Sequence, residues 1–498
     1  MFLKIGIVAI LALMLSVSQG TPVERAPRGF SLTQEAHGQR LRNGPLALGR
    51  IYNKYKGQMP QAARSAYDVA FSRVMPSAAR VTPTIPATTN PARPSFAPRA
   101  VPTKSSTLTS SKRTTATSTS STTVASTGSS VIKSTASAST TRGSSGATFP
   151  SQTLTSRTSL AAPVSQLYQS GSVVASPVNI YDTAYMIPIT VGKNTIYVDL
   201  DTGSSDFWAF SSMQPASDTV NHNVYWPDNR TMLVDSSWAI TYLDGSGAAG
   251  LVYNDTVSLG GMNFPNLTVG AATTASTSFV SAAYDGLLGL SFDVLNTVKP
   301  VKQKTLFTQI MSSLPTALFT SNLKRNAPGT YNFGYIDATQ YNGTITYTNV
   351  DTSNGWWQFN TTGYGIGIQA PIARSYSGVA DTGTTLMILP SDIVTAYYAE
   401  ISGATYSGMY GAWIYPCNSP MPNLNLMFGN TRATVPGSMM TYGPIDYVGN
   451  CYGGLQQNDG LGIAIYGDIF IKSQFIVYDR SKNPPRLGFA PQSGVNYS

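Results

Sequence analysis

The sequence is poor in the side chains on which metal and thiol chemistry depend. Its 498 residues include two histidines, His37 and His222, and two cysteines, Cys417 and Cys451. Zinc sites use several Cys and His ligands, often as closely spaced pairs, and this chain has no such pair. A Ser-His-Asp triad would have to use His222, and no G-x-S-x-G motif supplies a nucleophile for it. We therefore expect neither a metal nor a cofactor.

Long apolar segments are also scarce. Only the N-terminus, MFLKIGIVAILALMLSVSQG, has a sustained apolar run, from Ile5 to Leu15 after the single Lys4. This pattern, followed by small residues up to Gly20, is typical of a secretory signal peptide (1–20). The alternative, an N-terminal membrane anchor, needs a longer run. The C-terminus lacks the apolar tail of a glycolipid anchor, so we expect a secreted, extracellular protein without a membrane partner.

Acidic residues are almost missing from the first third of the chain. Residues 1–169 contain 19 Lys and Arg against 3 Asp and Glu, whereas residues 170–498 contain 13 against 20. The front part therefore carries +16 and the back part −7, which favours attraction between them. A basic tail for nucleic acid or a membrane is the alternative, but the basic residues are scattered among Ser, Thr and Pro. We expect no nucleic-acid partner.

The composition divides the chain into further segments. Residues 21–82 are basic, and their apolar spacing predicts helices near Leu46–Tyr55 and Gln61–Phe71. Residues 83–170 are rich in Ser and Thr with few bulky apolar residues, which predicts a disordered, O-glycosylated linker. The dibasic pair Lys112-Arg113 within it is a candidate processing site.

The remaining residues have the pattern of short strands. Runs rich in Val, Ile, Tyr and Thr alternate with turn residues, which predicts an all-β fold. More than three hundred residues of this pattern predict two lobes, 171–350 and 351–498. In a secreted chain a lone cysteine pair favours one disulfide, Cys417–Cys451. Glycosylation is expected at the sequons of Asn229, Asn254, Asn266, Asn342 and Asn360.

One unit occurs twice in the strand-rich part. Asp-Thr-Gly begins at Asp201 and again at Asp381, each time after an apolar run and before two hydroxyl residues. Two apolar residues and a glycine then follow at similar distances, at Gly289 and Gly467. A single Asp-Thr-Gly is a weak signal, but this doubled unit indicates two equivalent loops. Asp supplies a carboxylate, Gly permits close approach, and the hydroxyls can hold the loop by hydrogen bonds.

Two such loops that meet would place two carboxylates side by side. Like charges this close cannot both ionise readily, so the pair shares a proton. The ionised carboxylate can take a proton from water while the neutral one donates to a substrate carbonyl. The repeat therefore predicts hydrolysis of an amide without a covalent intermediate.

Residues from about 173 to 498 resemble the pepsin-like aspartic endopeptidases, in particular the secreted fungal members. The resemblance rests on AYMIPITVG, DTGSSDFW, AAYDGLLGLSF, GVADTGTTLMILP and YGDIFIKSQFIVYDRSKNPPRLGFAP. It implies a bilobal all-β fold with two pseudo-symmetric lobes, a cleft between them, and cleavage of peptide bonds at acid pH beside large apolar residues. Protein or peptide substrates and a monomeric enzyme are expected.

The resemblance also implies a role for individual residues. Asp201 and Asp381 would be the catalytic pair, and Trp208 would support Tyr242, the tyrosine of a mobile flap that includes Asp244 and Gly245. The residues around the two carboxylates would be Thr202, Gly203, Ser204, Thr382, Gly383 and Thr384. Leu243 departs from the family, which has Gly after the flap tyrosine. Asp244 resembles an acidic residue linked in fungal relatives to a basic residue before the cut bond.

Enzymes of this family are made as zymogens, so the basic front segment is interpreted as a pro-segment that inhibits its own enzyme. Lys54, beside Tyr55, is the residue expected to pair with the two aspartates. Three alternatives remain. The first is an inactive relative that acts as a binding or inhibitor protein, the second is a structural cell-wall glycoprotein that functions through its Ser/Thr-rich stalk (residues 83–170), and the third is a two-carboxylate glycosidase. The stalk also makes association with the cell wall an expectation.

Overall fold

The computed structural model describes residues 43–74 and 168–498, with the exception of 242–246. The predicted signal peptide, nearly all of the predicted linker and the predicted flap tip lie outside the described residues. The described helices are α1 (Gly44–Lys54), α2 (Gln61–Val74), α3 (Ala216–Thr219), α4 (Thr277–Val280), α5 (Leu306–Ile310), α6 (Ser391–Ala399) and α7 (Asp468–Ile471). None of them is long and apolar enough to cross a bilayer.

Strands are the main secondary structure of the described residues after 170. The strands before residue 350 are β1 (Gly171–Pro177), β2 (Tyr185–Val191), β3 (Asn194–Asp201), β4 (Phe207–Phe210), β5 (Met232–Thr241), β6 (Gly247–Leu259), β7 (Met262–Ala275), β8 (Gly286–Gly289), β9 (Leu318–Lys324), β10 (Ala327–Phe333) and β11 (Thr346–Asn349). Those after it are β12 (Gln358–Ile366), β13 (Ile372–Ala380), β14 (Met387–Leu389), β15 (Thr405–Ser407), β16 (Ala412–Pro416), β17 (Leu424–Phe428), β18 (Thr431–Val435), β19 (Thr441–Pro444), β20 (Asn450–Gly453), β21 (Leu455–Gln457), β22 (Ala464–Tyr466), β23 (Gln474–Asp479) and β24 (Arg486–Pro491).

The strands form three sheets in the described part of the chain. The largest has thirteen strands in the order β11-β24-β23-β9-β10-β1-β2-β3-β8-β4-β7-β6-β5. A seven-stranded sheet has the order β18-β17-β12-β13-β22-β14-β21, and a four-stranded sheet has the order β15-β16-β20-β19. The strands β23 and β24, near the end of the chain, join the sheet that contains Asp201, because β23 pairs with β9. The predicted all-β, bilobal fold is confirmed.

The repeated sequence unit forms the same strand arrangement in both lobes. In the first, β3 runs parallel to β8, so that Asp201 lies opposite Gly289, and β8 pairs antiparallel with β4. In the second, β13 runs parallel to β22, so that Ala380 lies opposite Tyr466, and β22 pairs antiparallel with β14. Each Asp-Thr-Gly loop therefore follows the buried end of a strand, and a second, fully buried strand from much later in the lobe fixes its position.

The helical segment (residues 43–74) folds against the second lobe. The Asn43 side chain accepts a hydrogen bond from Leu46 N and caps α1, and the predicted helices near 46–55 and 61–71 are present as α1 and α2. The apolar face of α1 repeats at helical spacing through Leu48, Ile51 and Tyr52. It joins one buried cluster with residues of the second lobe: Val379, Leu386, Ile388, Ala412, Ile414, Tyr442, Ile445, Tyr452 and Ile465. Burial of this face holds the segment across that lobe.

Replacement of Gly289 by alanine is expected to destabilise the protein by about 2–3 kcal/mol, because overpacking costs this much when backbone must move. A Cβ at this position would lie 2.6 Å from Asp206 N and 2.7 Å from Ser205 Cα. Urea unfolding of the full chain measures the loss. Gly408→Ala is the matched control, since a Cβ there meets nothing within 4 Å. Equal losses in the two variants would contradict this account of strand β8.

Candidate active site

The two Asp-Thr-Gly loops are joined by a symmetric set of hydrogen bonds beneath the carboxylates. Thr202 N donates to Thr382 Oγ1 at 3.1 Å, and Thr382 N donates to Thr202 Oγ1 at 3.0 Å. Each hydroxyl also donates to a carbonyl of the opposite lobe: Thr202 to Ala380 O at 2.8 Å, and Thr382 to Leu200 O at 2.5 Å. Both threonines are fully buried. Because every bond crosses between the lobes, the loops are fixed relative to each other.

Each carboxylate is held by its own loop in the same way. Gly203 N donates to Asp201 Oδ1 at 2.8 Å, and Ser204 Oγ donates to Asp201 Oδ2 at 2.6 Å. In the second loop Gly383 N donates to Asp381 Oδ1 at 3.1 Å, and Thr384 Oγ1 donates to Asp381 Oδ2. Hydrogen bonds of this kind stabilise the ionised form of a carboxyl group.

The glycines of the two loops allow the carboxylates to come together. A Cβ on Gly203 would lie 2.6 Å from Asp381 Oδ1, and a Cβ on Gly383 would lie 2.5 Å from Asp201 Cγ. At these distances the carboxylate of the other lobe would have to move, so each glycine is needed to keep the opposite aspartate in its place. The Gly of the repeated triplet therefore has a packing role across the pseudo-twofold axis.

An ammonium group from the helical segment lies between the two carboxylates. Lys54 Nζ is 2.7 Å from Asp201 Oδ1 and 2.9 Å from Asp381 Oδ1. Tyr55 Oη donates to Asp381 Oδ2 at 2.8 Å, and its ring packs on Trp356 with the centroids 5.1 Å apart. Both aspartates are at most 1% exposed. The end of α1 therefore fills the space above the two aspartates.

The pKa values of Asp201 and Asp381 are shifted in opposite directions. Burial raises the pKa of Asp201, and the neighbouring Asp381 charge adds to the rise while Lys54 opposes it. Burial acts in the same direction on Asp381, but Lys54 and the hydroxyls of Thr384 and Tyr55 outweigh it, so the pKa of Asp381 lies below its usual value. Burial would lower the pKa of Lys54, but the two carboxylates more than compensate and raise it. Lys54 is therefore firmly charged.

Trp208 is fully buried in an aromatic cluster beside the site. It stacks on Trp238 with the centroids 5.4 Å apart and meets Phe279 edge-on at 5.2 Å. Its Nε1 has no hydrogen-bond partner among the described residues. Residues 242–246 connect β5 to β6, whose ends Thr241 and Gly247 are paired. The predicted flap residues Tyr242, Asp244 and Gly245, and with them Leu243, lie in this connection and outside the described residues.

A cleft of about 380 Å³ remains between the helical segment and the lobes. Arg50 and Tyr67 line one side, and Asp199, Ser278 and Tyr284 line the other. Asp199 is 5% exposed, and its Oδ1 has no hydrogen-bond partner among the described residues. Burial raises the pKa of Asp199, and the adjacent Asp201 adds to the rise. The cleft thus continues along strand β3, which ends at Asp201, towards α4.

Sequence reasoning missed several residues of this region. Asp199 precedes the triplet by two positions, which could have placed it near the site, because alternate residues of a strand share a face. Tyr52 Oη donates to Asp459 O at 2.7 Å and fastens α1 to the second lobe. No local pattern signals that bond, since its acceptor is a backbone carbonyl about four hundred residues away. Lys54, by contrast, contacts both aspartates, as the resemblance of the front segment to a zymogen pro-segment implied.

Other predicted positions lie away from the cleft. Cys417 and Cys451 form a disulfide, with Cα atoms 4.9 Å apart, that links the end of β16 to β20. Among the sequon asparagines, Asn254 is half-buried on β6, and its Oδ1 accepts a hydrogen bond from Thr268 Oγ1 at 3.2 Å. The exposed ones are Asn229, Asn266, Asn342 and Asn360.

Comparison with known proteins agrees with this geometry. The family model described as eukaryotic aspartyl protease matches residues 184–492, more than half of the chain. The chain therefore belongs to the eukaryotic aspartyl protease family, and it is a pepsin-like, aspartic-type endopeptidase of the fungal kind. The resemblance noted in its sequence is confirmed.

Three fungal relatives illustrate the similarity. The chain is 47% identical to Aspergillopepsin-1 of Aspergillus fumigatus over 327 residues. This alignment covers 65% of this chain and 82% of that protein. It is 44% identical over 325 residues to Penicillopepsin-3 of Penicillium janthinellum, with the same coverage. It is 45% identical over 328 residues to Aspartic protease pepA of Leptosphaeria maculans, which covers 65% and 80%.

Thr202→Val is expected to destabilise the protein by about 2–4 kcal/mol and to lower peptidase activity. Valine has nearly the shape of threonine but leaves the buried Thr382 N and Ala380 O without partners, and each lost bond of this kind costs about 1–3 kcal/mol. Denaturant unfolding and turnover of a peptide substrate measure the two effects. Thr202→Ser keeps the hydroxyl and is the control. If serine and valine behave alike, the hydrogen bonds are not what joins the loops.

Proposed function

We propose that this endopeptidase cleaves peptide bonds with a water molecule activated by Asp201 and Asp381. The observation that carries the proposal is the single Lys54 ammonium in contact with both carboxylates. Two oxygens that share one ammonium at 2.7 and 2.9 Å lie closer together than the sum of these distances. Both groups are buried, so when Lys54 leaves, their repulsion is poorly screened and they share a proton.

The shared proton gives the two carboxyls opposite roles. The ionised member accepts a proton from the water, which attacks the carbonyl carbon of the scissile amide. The neutral member donates to the carbonyl oxygen and stabilises its developing charge. Return of a proton to the amide nitrogen then lets the carbon–nitrogen bond break. The hydroxyls of Ser204 and Thr384 keep the carboxylates oriented, and the reaction requires a pH at which one proton remains on the pair.

The walls of the cleft support a preference for large apolar side chains around the cut bond. Phe279, Tyr284 and Leu287 line the space next to Asp201. These side chains offer apolar contact area to a substrate residue at about 25 cal/mol for each Å² buried. Leu243 and Asp244 would modify this preference at the flap.

The helical segment acts as an inhibitory pro-segment in this proposal. Its Lys54 occupies the position at which the catalytic water would bind, and its α1 covers the second lobe. The chain is exported through residues 1–20, works outside the cell as a monomer, and retains part of its Ser/Thr stalk if it is cut at Lys112-Arg113. The opposite charges of the two parts of the chain support this arrangement.

Acid-matured wild-type protein is expected to cleave a denatured protein substrate at about pH 3–4, near and below the ordinary carboxyl pKa values. Pepstatin, a transition-state analogue, and the substitution Asp201→Asn should each abolish the activity. An exposed carboxylate variant, Asp235→Asn, is the control and should cleave normally. A processed, folded wild type without activity would instead indicate a binding or inhibitor protein.

Lys54→Met is expected to make the precursor active at a higher pH than the wild type. The lowered pKa of Asp381 means that its ion pair with Lys54 is present above the ordinary carboxyl pKa and is lost only as the pH falls through the lowered value. Breaking a buried pair costs about 3–5 kcal/mol, so activity near pH 5 should rise at least tenfold. Lys56→Met removes the same charge at an exposed neighbouring position.

The readout is the initial rate of peptide cleavage as the precursor is brought to each pH. The Lys56→Met precursor should become active at the same pH as the wild type. If the Lys54→Met precursor also does so, Lys54 does not act as the inhibitory group.

A further inference from the structure

A buried group of charges lies directly beneath the Asp381 loop and has no part in the mechanism above. Asp468, the first residue of α7, is fully buried, and neither of its carboxyl oxygens has a hydrogen-bond partner among the described residues. Lys472, at the end of the same helix, lies 3.4 Å from the carboxylate of Asp182. The side chains of Lys472 and Asp182 are 5% and 2% exposed. We refer to Asp182, Asp468 and Lys472 as the lower charge cluster.

The lower charge cluster is attached to the catalytic loop by backbone hydrogen bonds. Asp468 N donates to Thr384 O at 2.7 Å, and the next amide, Ile469 N, donates to Thr385 O at 3.0 Å. The Asp381 amide itself donates to Tyr466 O at 3.0 Å. A movement of α7 would therefore displace Thr384, whose hydroxyl holds Asp381. The position of Asp468 is coupled to the orientation of the catalytic carboxylate.

The first lobe is attached to the same cluster. The Asp182 carboxylate accepts Asn326 N, from the turn between β9 and β10, at 3.0 Å. Thr385 Oγ1 donates to the carbonyl of Thr183, the neighbour of Asp182. The cluster thus connects a turn of the first lobe, a hairpin of the large sheet and the Asp381 loop.

The charges of the cluster balance only when one carboxyl is protonated. Two carboxyls face one ammonium, and Asp182 is the one that has the ion pair and the amide bonds. Burial raises the pKa of Asp468 well above its usual value, Lys472 opposes the rise, and the other carboxylates add to it. The remaining groups that face Asp468 are Asp199, Asp381, Tyr185, Tyr331 and Tyr478, and Arg325 acts on Lys472.

We propose that Asp468 is a positioning residue that must keep its proton, and that loss of this proton as the pH rises displaces the Asp381 loop and inactivates the enzyme. The direction follows from linkage. A carboxyl that holds its proton more tightly when folded than when unfolded stabilises the fold below the unfolded pKa. That contribution is lost as the pH rises from about 4 towards the folded value. Asp468, which lies beneath the catalytic pair, thus sets the highest pH at which the enzyme stays active.

The test compares Asp468→Asn with the wild type, as full-length precursor and as acid-matured enzyme. Asparagine keeps the shape of aspartic acid but cannot ionise. The matured proteins are incubated between pH 5 and 8 and assayed at acid pH, and thermal unfolding of the precursors is followed by circular dichroism at each pH. We expect the half-inactivation pH of Asp468→Asn to rise by about one unit or more, equivalent to a tenfold longer lifetime at a given pH. The control, Asp235→Asn at an exposed position, should match the wild type.

A second pair of variants keeps the test decisive if Asp468→Asn does not fold. Lys472→Met removes the cation that opposes the raised pKa of Asp468, so it should move the upper pH limit up by about a pH unit, whereas Lys472→Arg keeps the charge and should leave the limit near the wild-type value. The pH profile of kcat, measured apart from KM, should shift with the limit. An unchanged limit in Asp468→Asn, or equal shifts in the two Lys472 variants, overturns the proposal. Because unfolding is measured without a substrate, this result does not depend on the proposed catalytic roles.

Discussion

The hydrogen bonds between Thr202 and Thr382 are the interaction on which the rest of the structure depends. They join loops from two lobes whose strands belong largely to different sheets, and they bring the aspartates of the two lobes together beneath the cleft. Two buried carboxylates repel each other, so the pair is stable only in a framework that cannot relax. Three features keep that framework rigid. They are the close approach of Gly203 and Gly383 to the aspartate of the other lobe, the pairing of each loop's strand with β8 or β22, and the thirteen-stranded sheet to which both lobes contribute strands.

The helical segment combines two kinds of binding that respond differently to acid. Its apolar face packs into the second lobe, and the strength of that contact changes little with pH. Its Lys54 contacts depend on the ionisation of Asp201 and Asp381, and acid removes them. In the proposed inhibitory role of this segment, acid releases Lys54 from Asp201 and Asp381 before the apolar face of α1 leaves the second lobe. The proposal therefore includes a graded transition from a closed precursor to an open enzyme.

The sequence predicted those parts of the site that depend on the local conformation of the backbone. Asp-Thr-Gly, and the later glycines Gly289 and Gly467, are short patterns with fixed residue types, and the resemblance of the front segment to the pro-segments of the family implied a lysine such as Lys54. The contact of Tyr52 with Asp459 O could not be predicted, because a backbone carbonyl leaves no residue-type signature. Nor could the isolation of Asp468, since a missing partner depends on packing from several elements. The return of β23 and β24 to the first sheet is likewise a matter of long-range pairing.

In the proposed mechanism, Asp201 and Asp381 share one proton in the open enzyme. Infrared difference spectroscopy of the acid-matured protein, wild type minus Asp381→Asn, measures the ionisation of these carboxyls directly across a pH titration. We expect one neutral and one ionised carboxyl over an interval of roughly two or more pH units. Two carboxyls that ionise together near the ordinary aspartate pKa would contradict it.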